Sequence, residues 1–329
     1  MSSIISLNYK YIVVGYGYDY YRYVYRQLEE LPNTYFVNNW PVSKVADHIY
    51  SYHFNFDLPF KQLWVSLYIG FLQRLVRKMG LSQSDHICFL LLAGGANNRL
   101  LSYGLCEKIK EVFINCKIVF FINDLVSKTK QPVHLIKAHA DLVYSYDPGD
   151  CKKYGLLNHV IPYSNFKYSS VQNPNYDIAF VGAAKDRLKE ILSIYFFLSN
   201  RGVKCHFKII GVPKDQQVFA EGISYSGRIS YEENLKFLQD CNCVLDVIQG
   251  ESSGNTIRVG EAIIMGKKLL TNNAQTPYNG VFDSNNMRVF KEVEGIDIPF
   301  LLDRSSINYD NKEKMYPVDL LCDIDNRIC

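Results

Sequence analysis

The alternation of short apolar runs with helical segments is the feature that most constrains the fold. The segment "HICFLLLAGG" (residues 86–95) is a continuous apolar run that ends in two glycines. Such a run is typical of a strand buried on both faces of a parallel sheet. The runs "KIVFFIND" (117–124) and "NCVLDVI" (242–248) follow the same pattern, and helical segments such as "LWVSLYIGFLQRLVRKMG" (63–80) lie between strands. The sequence therefore predicts an α/β protein with parallel sheets.

A polar stretch, "IPYSNFKYSSVQNPNYD" (residues 161–177), interrupts this alternation and contains two prolines. We interpret it as an interdomain linker. Beyond it the alternation restarts with "YDIAFVGAAKDR" (176–187), and 329 residues are enough for two domains of ordinary size. We therefore predict Rossmann-like domains at residues 1–162 and 163–329.

Composition excludes several classes of protein. A hydrophobic content of 48% with 21% charged residues indicates a globular chain, and the formal charge of +3 is too small to argue for a nucleic-acid partner. No apolar run approaches the ~20 residues of a membrane span, and the N-terminus lacks the pattern of a signal peptide. The nine cysteines are scattered and form no CxxC pair, which favours reduced thiols over a disulfide frame or a zinc site. These features predict a cytoplasmic protein.

The stretch "GESSGNTIRVGEAIIMGKKLLTNN" (residues 250–273) places small polar residues directly before an apolar helix. A helix N-terminus presents unpaired N–H groups and a partial positive charge, and small residues let a ligand approach that backbone closely. The arrangement suits an anion, above all a phosphate. An ordinary capped helix after a loop explains the same pattern, and the residues alone leave both interpretations open.

Three segments together resemble bacterial GT-B glycosyltransferases of lipopolysaccharide and capsular polysaccharide biosynthesis. They are "DLVYSYDPGDCKKYGL" (141–156), "YDIAFVGAAKDRL" (176–188) and "SSGNTIRVGEAIIMGKKLLTNN" (252–273). The resemblance covers residues from about 117 to 290, whereas residues 1–116 match only in architecture. It implies two Rossmann-like domains that face each other across a cleft, with the acceptor on the first domain and the nucleotide-sugar donor on the second.

The resemblance also implies donor-binding residues around the start of the helix after residue 256. Those expected to approach the donor sugar and diphosphate are Ser253, Gly254, Asn255 and Thr256. Arg258 matches a recurrent arginine, whose fixed N–H donors suit a phosphate, and Glu261 matches a glutamate that accepts hydrogen bonds from ribose hydroxyls. Ser253 stands where the broader fold has a sugar-binding glutamate, and Glu251 lies close to that position but out of register.

Further donor-binding candidates lie on two other loops. The loop after "DIAFVG" starts a helix where ligands of open α/β sheets bind, and it contributes Gly182, Lys185 and Arg187. A solvated basic helix start remains the alternative. In "SGRISYEEN" (226–234), Ser230 and Glu233 form a predicted capping box, and Arg228 before it is a donor-site candidate.

The catalytic base is predicted by position. Asp19, in the loop after the first strand, is our first candidate, and its rivals are His53, Asp124 and Asp147. A retaining enzyme of this fold can act without such a base. The acceptor side is predicted at Gly15, Tyr16 and Gly17. No DxD-like metal motif is placed, so we expect metal-independent catalysis in which cationic side chains and the helix dipole stabilise the leaving diphosphate.

The sequence thus predicts transfer of a sugar from a nucleotide-sugar donor, by default a UDP-sugar, to a surface-polysaccharide or lipid-linked glycan acceptor. The nucleotide-sugar is a substrate, and no cofactor is expected. One alternative is a non-catalytic nucleotide- or glycan-binding protein on the same scaffold. Another is a nucleotide-sugar oxidoreductase or epimerase, but the GxGxxG that it needs is replaced by "GYGYDYY". The basic end of the helix over residues 63–80 leaves peripheral contact with the inner face of a membrane open, beside simple packing on the sheet.

Overall fold

The chain forms two compact units, each built on one six-stranded sheet. A computed structural model describes residues 7–15, 19–37, 44–92, 96–129, 132–166, 173–250 and 252–329. One unit comprises Met1–His159 together with Pro317–Cys329, and the other comprises Val160–Tyr316. All strand pairs in both sheets are parallel, as the sequence predicts.

The first sheet has the strand order β2-β1-β3-β4-β5-β6. Its strands are β1 (Lys10–Val14), β2 (Thr34–Val37), β3 (Ile87–Leu92), β4 (Cys116–Ile122), β5 (Leu142–Ser145) and β6 (Leu157–Asn158). The helices of this unit are α1 (Tyr21–Val24), α2 (Lys44–Asn55), α3 (Gln62–Lys78), α4 (Ala96–Leu101), α5 (Leu105–Val112), α6 (Val126–Thr129), α7 (Val133–His139), α8 (Pro148–Tyr154) and the C-terminal α13 (Pro317–Ile328). Every residue of β3 is buried, which confirms the prediction of a strand covered on both faces.

The second sheet has the strand order β12-β11-β10-β7-β8-β9. Its strands are β7 (Tyr176–Ala183), β8 (Cys205–Ile210), β9 (Ile223–Ser226), β10 (Cys241–Asp246), β11 (Lys268–Thr271) and β12 (Met287–Val289). Its helices are α9 (Leu188–Ser199), α10 (Tyr231–Gln239), α11 (Ile257–Met265) and α12 (Ile298–Leu302). Short 3-10 turns at Lys185–Arg187, Lys214–Gln216, Thr276–Tyr278, Val293–Gly295 and Lys312–Met315 connect them.

Each sheet has one point at which successive strands begin to add on the opposite side. In the second unit this switch point lies between β7 and β10, and in the first it lies between β1 and β3. Open α/β sheets bind ligands outside the carboxyl ends of the strands at such a point. The loops after β7 and β10 are therefore the part of the second unit best placed to hold a ligand.

The C-terminal helix α13 belongs to the first unit. The hydroxyl of Tyr11 on β1 lies 3.0 Å from Asp325 Oδ1, and that of Tyr144 on β5 lies 2.6 Å from Asp323 Oδ2. The sequence places residues 163–329 in a single domain, whereas residues 317–329 pack with the first sheet because these tyrosines hold the helix there. No helix among the described residues is long and apolar enough to cross a membrane.

Candidate functional site

The site is built around Asp246, the last residue of β10. Its carboxylate is buried, with Oδ1 accepting from Thr256 Oγ1 at 2.9 Å and Oδ2 from Thr271 Oγ1 at 3.0 Å. Burial raises the pKa of Asp246, although the two threonine hydroxyls and the cations of Arg258 and Arg187 oppose that rise. Asp246 therefore ties the loop after β10 to the end of β11.

Thr256 caps the N-terminus of α11. Its Oγ1 accepts the Arg258 N–H at 3.1 Å, and its carbonyl accepts the Val259 N–H at 3.1 Å. The predicted alternative of a capped helix is therefore present, and two first-turn N–H groups are already used by the cap. A ligand at this helix start depends on side chains more than on the helix backbone.

Arg258 and Glu261 form an ion pair in the first turn of α11. Arg258 Nη1 donates to Glu261 Oε2, while Glu261 Oε1 accepts from Asn234 Nδ2 at 2.9 Å. Glu261 is fully buried, and the Arg258 side chain retains 18% of its exposure. Burial lowers the pKa of Arg258, but Glu261, Tyr231 and Asp246 raise it above its ordinary value overall. The structure therefore brings the two predicted donor residues together, and in this form they neutralise each other.

Two tyrosines close the other side of Glu261. The Tyr231 hydroxyl hydrogen-bonds Glu261 and lies 2.7 Å from the Tyr163 hydroxyl. The Tyr163 ring is buried against α11 at Gly260, where an added Cβ would lie 2.7 Å from Tyr163 Cδ2. Gly260 is thus required for close packing. A glycine inside an apolar helix is the signal in the sequence from which such a close contact could have been predicted.

Asparagines hold the loop that precedes α11. Asn273 Nδ2 donates to the Gly254 carbonyl at 3.0 Å, and Asn279 Nδ2 donates to the Ser253 carbonyl at 3.0 Å and to Asn255 Oδ1 at 3.1 Å. Asn255 is itself buried, and its Nδ2 has no hydrogen-bond acceptor among the described residues. The loop is therefore fixed by Asn273 and Asn279, neither of which was among the predicted site residues.

The loop after β7 is fastened to the loop after β10. Lys185, which has a positive φ of 46°, donates from Nζ to Gln249 Oε1 at 3.0 Å. Arg187 donates to the Val247 carbonyl and, at 2.6 Å, to the Ala183 carbonyl, while its Nε is buried with no acceptor among the described residues. Burial lowers the pKa of Arg187, and the nearby Asp246 opposes this effect. Arg187 therefore joins the two loops of the switch point.

Two other donor candidates lie at different distances from this cluster. Gly182 is the penultimate residue of β7, directly before the fastened loop. Arg228 is exposed and follows the edge strand β9. The predicted capping box of Ser230 and Glu233 after it is confirmed, and it starts the helix that carries Asn234. Among the described residues, no contact links Arg228 to Glu261.

In the first unit, the candidates for the catalytic base differ in their surroundings. Asp19 is exposed in the turn before α1, and Asp124 is exposed after β4. Asp147 is buried and caps α8 by accepting the Asp150 N–H at 2.9 Å. His53 uses both ring nitrogens between α2 and α3, accepting from Trp64 Nε1 at 3.0 Å and lying 2.6 Å from the Pro59 carbonyl.

The acceptor-side candidates are only partly described. Gly15 follows β1 with a φ of 105°, and its N–H donates to the Val37 carbonyl at 2.9 Å. Tyr16 and Gly17 lie outside the described residues. Within the described part of the chain, no group of three His, Cys, Asp or Glu side chains is arranged to hold a metal ion.

Comparison with known proteins gives structural matches. No family model and no curated protein matches the sequence. An alpha-glucosyltransferase in complex with UDP and a 13-mer DNA containing a HMU base is similar with a TM-score of 0.52 and 9% identity, over 97% of this chain and 91% of that one. The alpha-glucosyltransferase in complex with UDP-glucose and DNA containing an abasic site gives 0.52 at 10% identity, over 96% and 93%.

A third similar structure is UDP-GlcNAc 2-epimerase from Neisseria meningitidis bound to UDP-GlcNAc, with a TM-score of 0.53 and 9% identity, over 97% of this chain and 99% of that one. At such low identity the likeness concerns the fold. Two six-stranded parallel α/β sheets and these matches over nearly the full length show that the chain has a GT-B-like fold.

Proposed function

We propose that the protein transfers a sugar from a nucleotide-sugar donor, by default a UDP-sugar, and that the donor binds at the start of α11. The observation that carries this proposal is the pairing of Arg258 with Glu261 beside the switch point of the second sheet. A guanidinium suits a diphosphate and a carboxylate suits two ribose hydroxyls, so one ligand matches both groups. The structures of similar fold with UDP, UDP-glucose or UDP-GlcNAc support this class of ligand.

In the proposed mode of donor binding, the Arg258–Glu261 pair separates. Glu261 is fully buried and already accepts from Arg258, Asn234 and Tyr231, so most of its acceptor sites are occupied before a ribose arrives. We infer that Arg258 exchanges Glu261 for a phosphate while the ribose hydroxyls take its place on the carboxylate. After this exchange both the guanidinium and the carboxylate still make charged hydrogen bonds, and each such bond contributes about 1.5–3 kcal/mol.

In the transfer step, charge develops on the leaving diphosphate. Arg258 keeps partial exposure at the helix start and would stabilise that charge, whereas Arg187 is held by two carbonyls and would position the loops. Asp19 remains the proposed base because it is exposed and follows β1, whereas Asp147 is buried and caps α8. The acceptor, a surface polysaccharide or lipid-linked glycan, rests on the sequence resemblance alone.

A second candidate function is epimerisation of a UDP-sugar. The similarity to UDP-GlcNAc 2-epimerase favours it as much as the other matches favour transfer, since the TM-scores are nearly equal. A third, binding without catalysis, is consistent with Ser253 in the place of a sugar-binding carboxylate.

One experiment separates the three functions. The purified chain is incubated with UDP-glucose and with UDP-GlcNAc, each with and without a glycan acceptor, and products are followed by nucleotide chromatography and NMR. We expect UDP release that increases with acceptor and a new glycosidic bond. A changed sugar stereocentre without acceptor would establish epimerisation instead. Binding of UDP without any product would support the non-catalytic alternative, and no binding would overturn the donor site.

A further inference from the structure

Seven exposed apolar side chains lie where α2 meets α3, and we call them the apolar tip. They are Ile49, Tyr52, Phe56, Leu58, Phe60, Leu63 and Leu67, with exposures from 40% for Leu58 to 72% for Phe60. All seven fall within one short segment of the first unit. Exposed apolar residues occur singly on most surfaces, whereas a contiguous group marks an interaction site.

The tip combines exposed residues of α2, of the loop after it and of α3. Ile49 and Tyr52 on α2 and Phe56 directly after it follow helical spacing, and the rings of Tyr52 and Phe56 lie 4.4 Å apart between centroids. On α3, Leu63 and Leu67 are one turn apart. A different face of α3, which includes Trp64, Tyr68 and Leu72, is buried in the core of the unit. The helix therefore has a buried apolar face and a second, exposed one.

The loop of the tip is held in an unfavourable backbone conformation. Asp57 has a φ of 50° and Phe60 a φ of 65°, values that side chains other than glycine rarely adopt. His53 fixes this loop, because one ring nitrogen contacts the Pro59 carbonyl at 2.6 Å and the other accepts from Trp64. Strained residues that the surrounding structure enforces are characteristic of functional segments. The fold thus holds Phe60 outward.

Charge identifies what covers the tip. Residues 48–80 contain four Lys or Arg side chains and a single carboxylate, Asp57, which pairs with Lys61. The other three cations, Arg74, Arg77 and Lys78, are exposed at the C-terminal end of α3. At 1.5 Å per residue, the helix carries them about 20 Å from Leu63. An apolar surface with exposed cations farther along the same helix complements an anionic bilayer, whereas a second copy of the chain would bring the same positive charge.

We propose that the apolar tip inserts into the interface of an anionic lipid bilayer and that Arg74, Arg77 and Lys78 contact lipid phosphates. The protein lies on the membrane through this one surface. The proposal does not depend on the proposed sugar transfer, because lipid binding is measured without donor or acceptor.

The test is sedimentation of the full chain with vesicles of phosphatidylcholine alone and of phosphatidylcholine with phosphatidylglycerol. We expect binding to the anionic vesicles that weakens as salt rises, and much weaker binding to phosphatidylcholine alone. Failure of the chain to bind anionic vesicles overturns the proposal.

Two variants divide the surface into its parts. The tip variant combines Phe56→Gln, Phe60→Asn and Leu63→Gln, in which asparagine tolerates the positive φ of position 60. The basic variant combines Arg74→Gln, Arg77→Gln and Lys78→Gln. We expect the tip variant to lose at least about tenfold in binding to anionic vesicles, since apolar burial drives insertion. The basic variant is expected to lose the salt-dependent part of binding and to bind both kinds of vesicle alike.

Matched controls alter exposed residues elsewhere. Ile114→Gln with Phe219→Gln removes two apolar side chains of 79% and 83% exposure, and Lys152→Gln with Lys189→Gln and Lys214→Gln removes three exposed charges. We expect binding within about twofold of the unaltered chain. Equal losses in the controls and the test variants would overturn the proposal. So would a dimer in solution that the tip variant converts to a monomer, because a second copy would then cover the tip.

Discussion

Arg258 donates to Glu261 across the first turn of α11. Glu261 is fully buried and also accepts from Asn234. The two residues best matched to a nucleotide-sugar are therefore each other's partner in this form of the protein. A nucleotide-sugar bound in the proposed way would compete with this internal ion pair. The affinity of such a ligand would then depend on how well its own contacts replace those of the Arg258–Glu261 pair.

The first prediction concerns the Arg258→Lys variant. Lysine keeps the positive charge beside Glu261 but loses the forked donors that suit a phosphate. We expect UDP to bind about tenfold more weakly, which corresponds to about 1.4 kcal/mol, while uridine binding stays within about twofold. Calorimetry with both ligands measures the four affinities. The control is Arg201→Lys, an exposed position on the same unit. Equal weakening of uridine and UDP would show that Arg258 does not act on the phosphates.

The second prediction concerns Gly260→Ala. The added Cβ would lie 2.7 Å from the buried Tyr163 ring, so we expect a loss of about 1–3 kcal/mol in the free energy of unfolding. Gly70→Ala is the matched control, because Gly70 also lies inside a helix but has nothing within 4 Å of its Cβ position. That variant should gain up to about 1 kcal/mol. Urea unfolding of both variants tests the contrast, and equal stability changes would contradict the close packing of Tyr163.

The third prediction concerns pH and Asp246. Its folded-state pKa is raised by burial above the ordinary value of 3.8, so the folded protein holds this proton to higher pH than the unfolded chain does. Ionisation of Asp246 therefore lowers the free energy of unfolding as the pH rises from 3.8 towards the folded-state pKa. Above the folded-state pKa the full loss remains. We expect Asp246→Asn to remove this component of the pH dependence. Urea unfolding at several values from about pH 4 to pH 7 measures it.

Asp303→Asn gives a comparison of opposite sign when the same urea unfolding is extended from about pH 4 down to about pH 2. Lys268 donates to Asp303 Oδ2 at 2.6 Å and, with Ser305, holds the pKa of Asp303 well below its usual range. The stability from Asp303 is present above pH 3.8 and falls as the pH drops towards the folded value. The two variants should therefore change the pH profile in opposite directions. Changes of the same sign would refute the raised pKa of Asp246.

The fourth prediction concerns Asp19→Asn. If Asp19 deprotonates the acceptor, turnover should fall by about 10²–10⁴-fold, because that is the usual contribution of general-base catalysis. UDP affinity should not change, since the donor residues belong to the other unit. Asp124→Asn is the control, because Asp124 is also exposed after a strand of the same sheet. An undiminished rate for Asp19→Asn with a reduced rate for Asp124→Asn would transfer the role to Asp124.

Local patterns in the sequence were sufficient for the strands buried on both faces. Strand β3 is apolar at every position because helices cover both sides of the sheet, and every residue of β10 is likewise buried. The capping box was also predicted, since its two partners, Ser230 and Glu233, lie only three residues apart in the sequence. Signals of this kind depend on neighbours along the chain.

The surroundings of Glu261 could not be predicted in the same way. Arg258 lies three residues away, but Asn234 and Tyr163 reach the site from 27 and 98 positions earlier in the chain, and their partners are set by packing. The position of α13 has the same cause. Its helical pattern is local, whereas its attachment to Tyr11 and Tyr144 spans most of the sequence.

The return of α13 to the first sheet has a consequence for the order in which the units are completed during synthesis. The second unit lies between two parts of the first, and its ends are joined where the Tyr163 N–H donates to the Met315 carbonyl at 2.6 Å. A ribosome therefore finishes every element of Val160–Tyr316 before it makes the helix that completes the unit begun first. Until then, Tyr11 and Tyr144 lack the partners Asp325 and Asp323. We expect the nascent first unit to need protection from aggregation over that interval, and the second unit to fold when produced by itself.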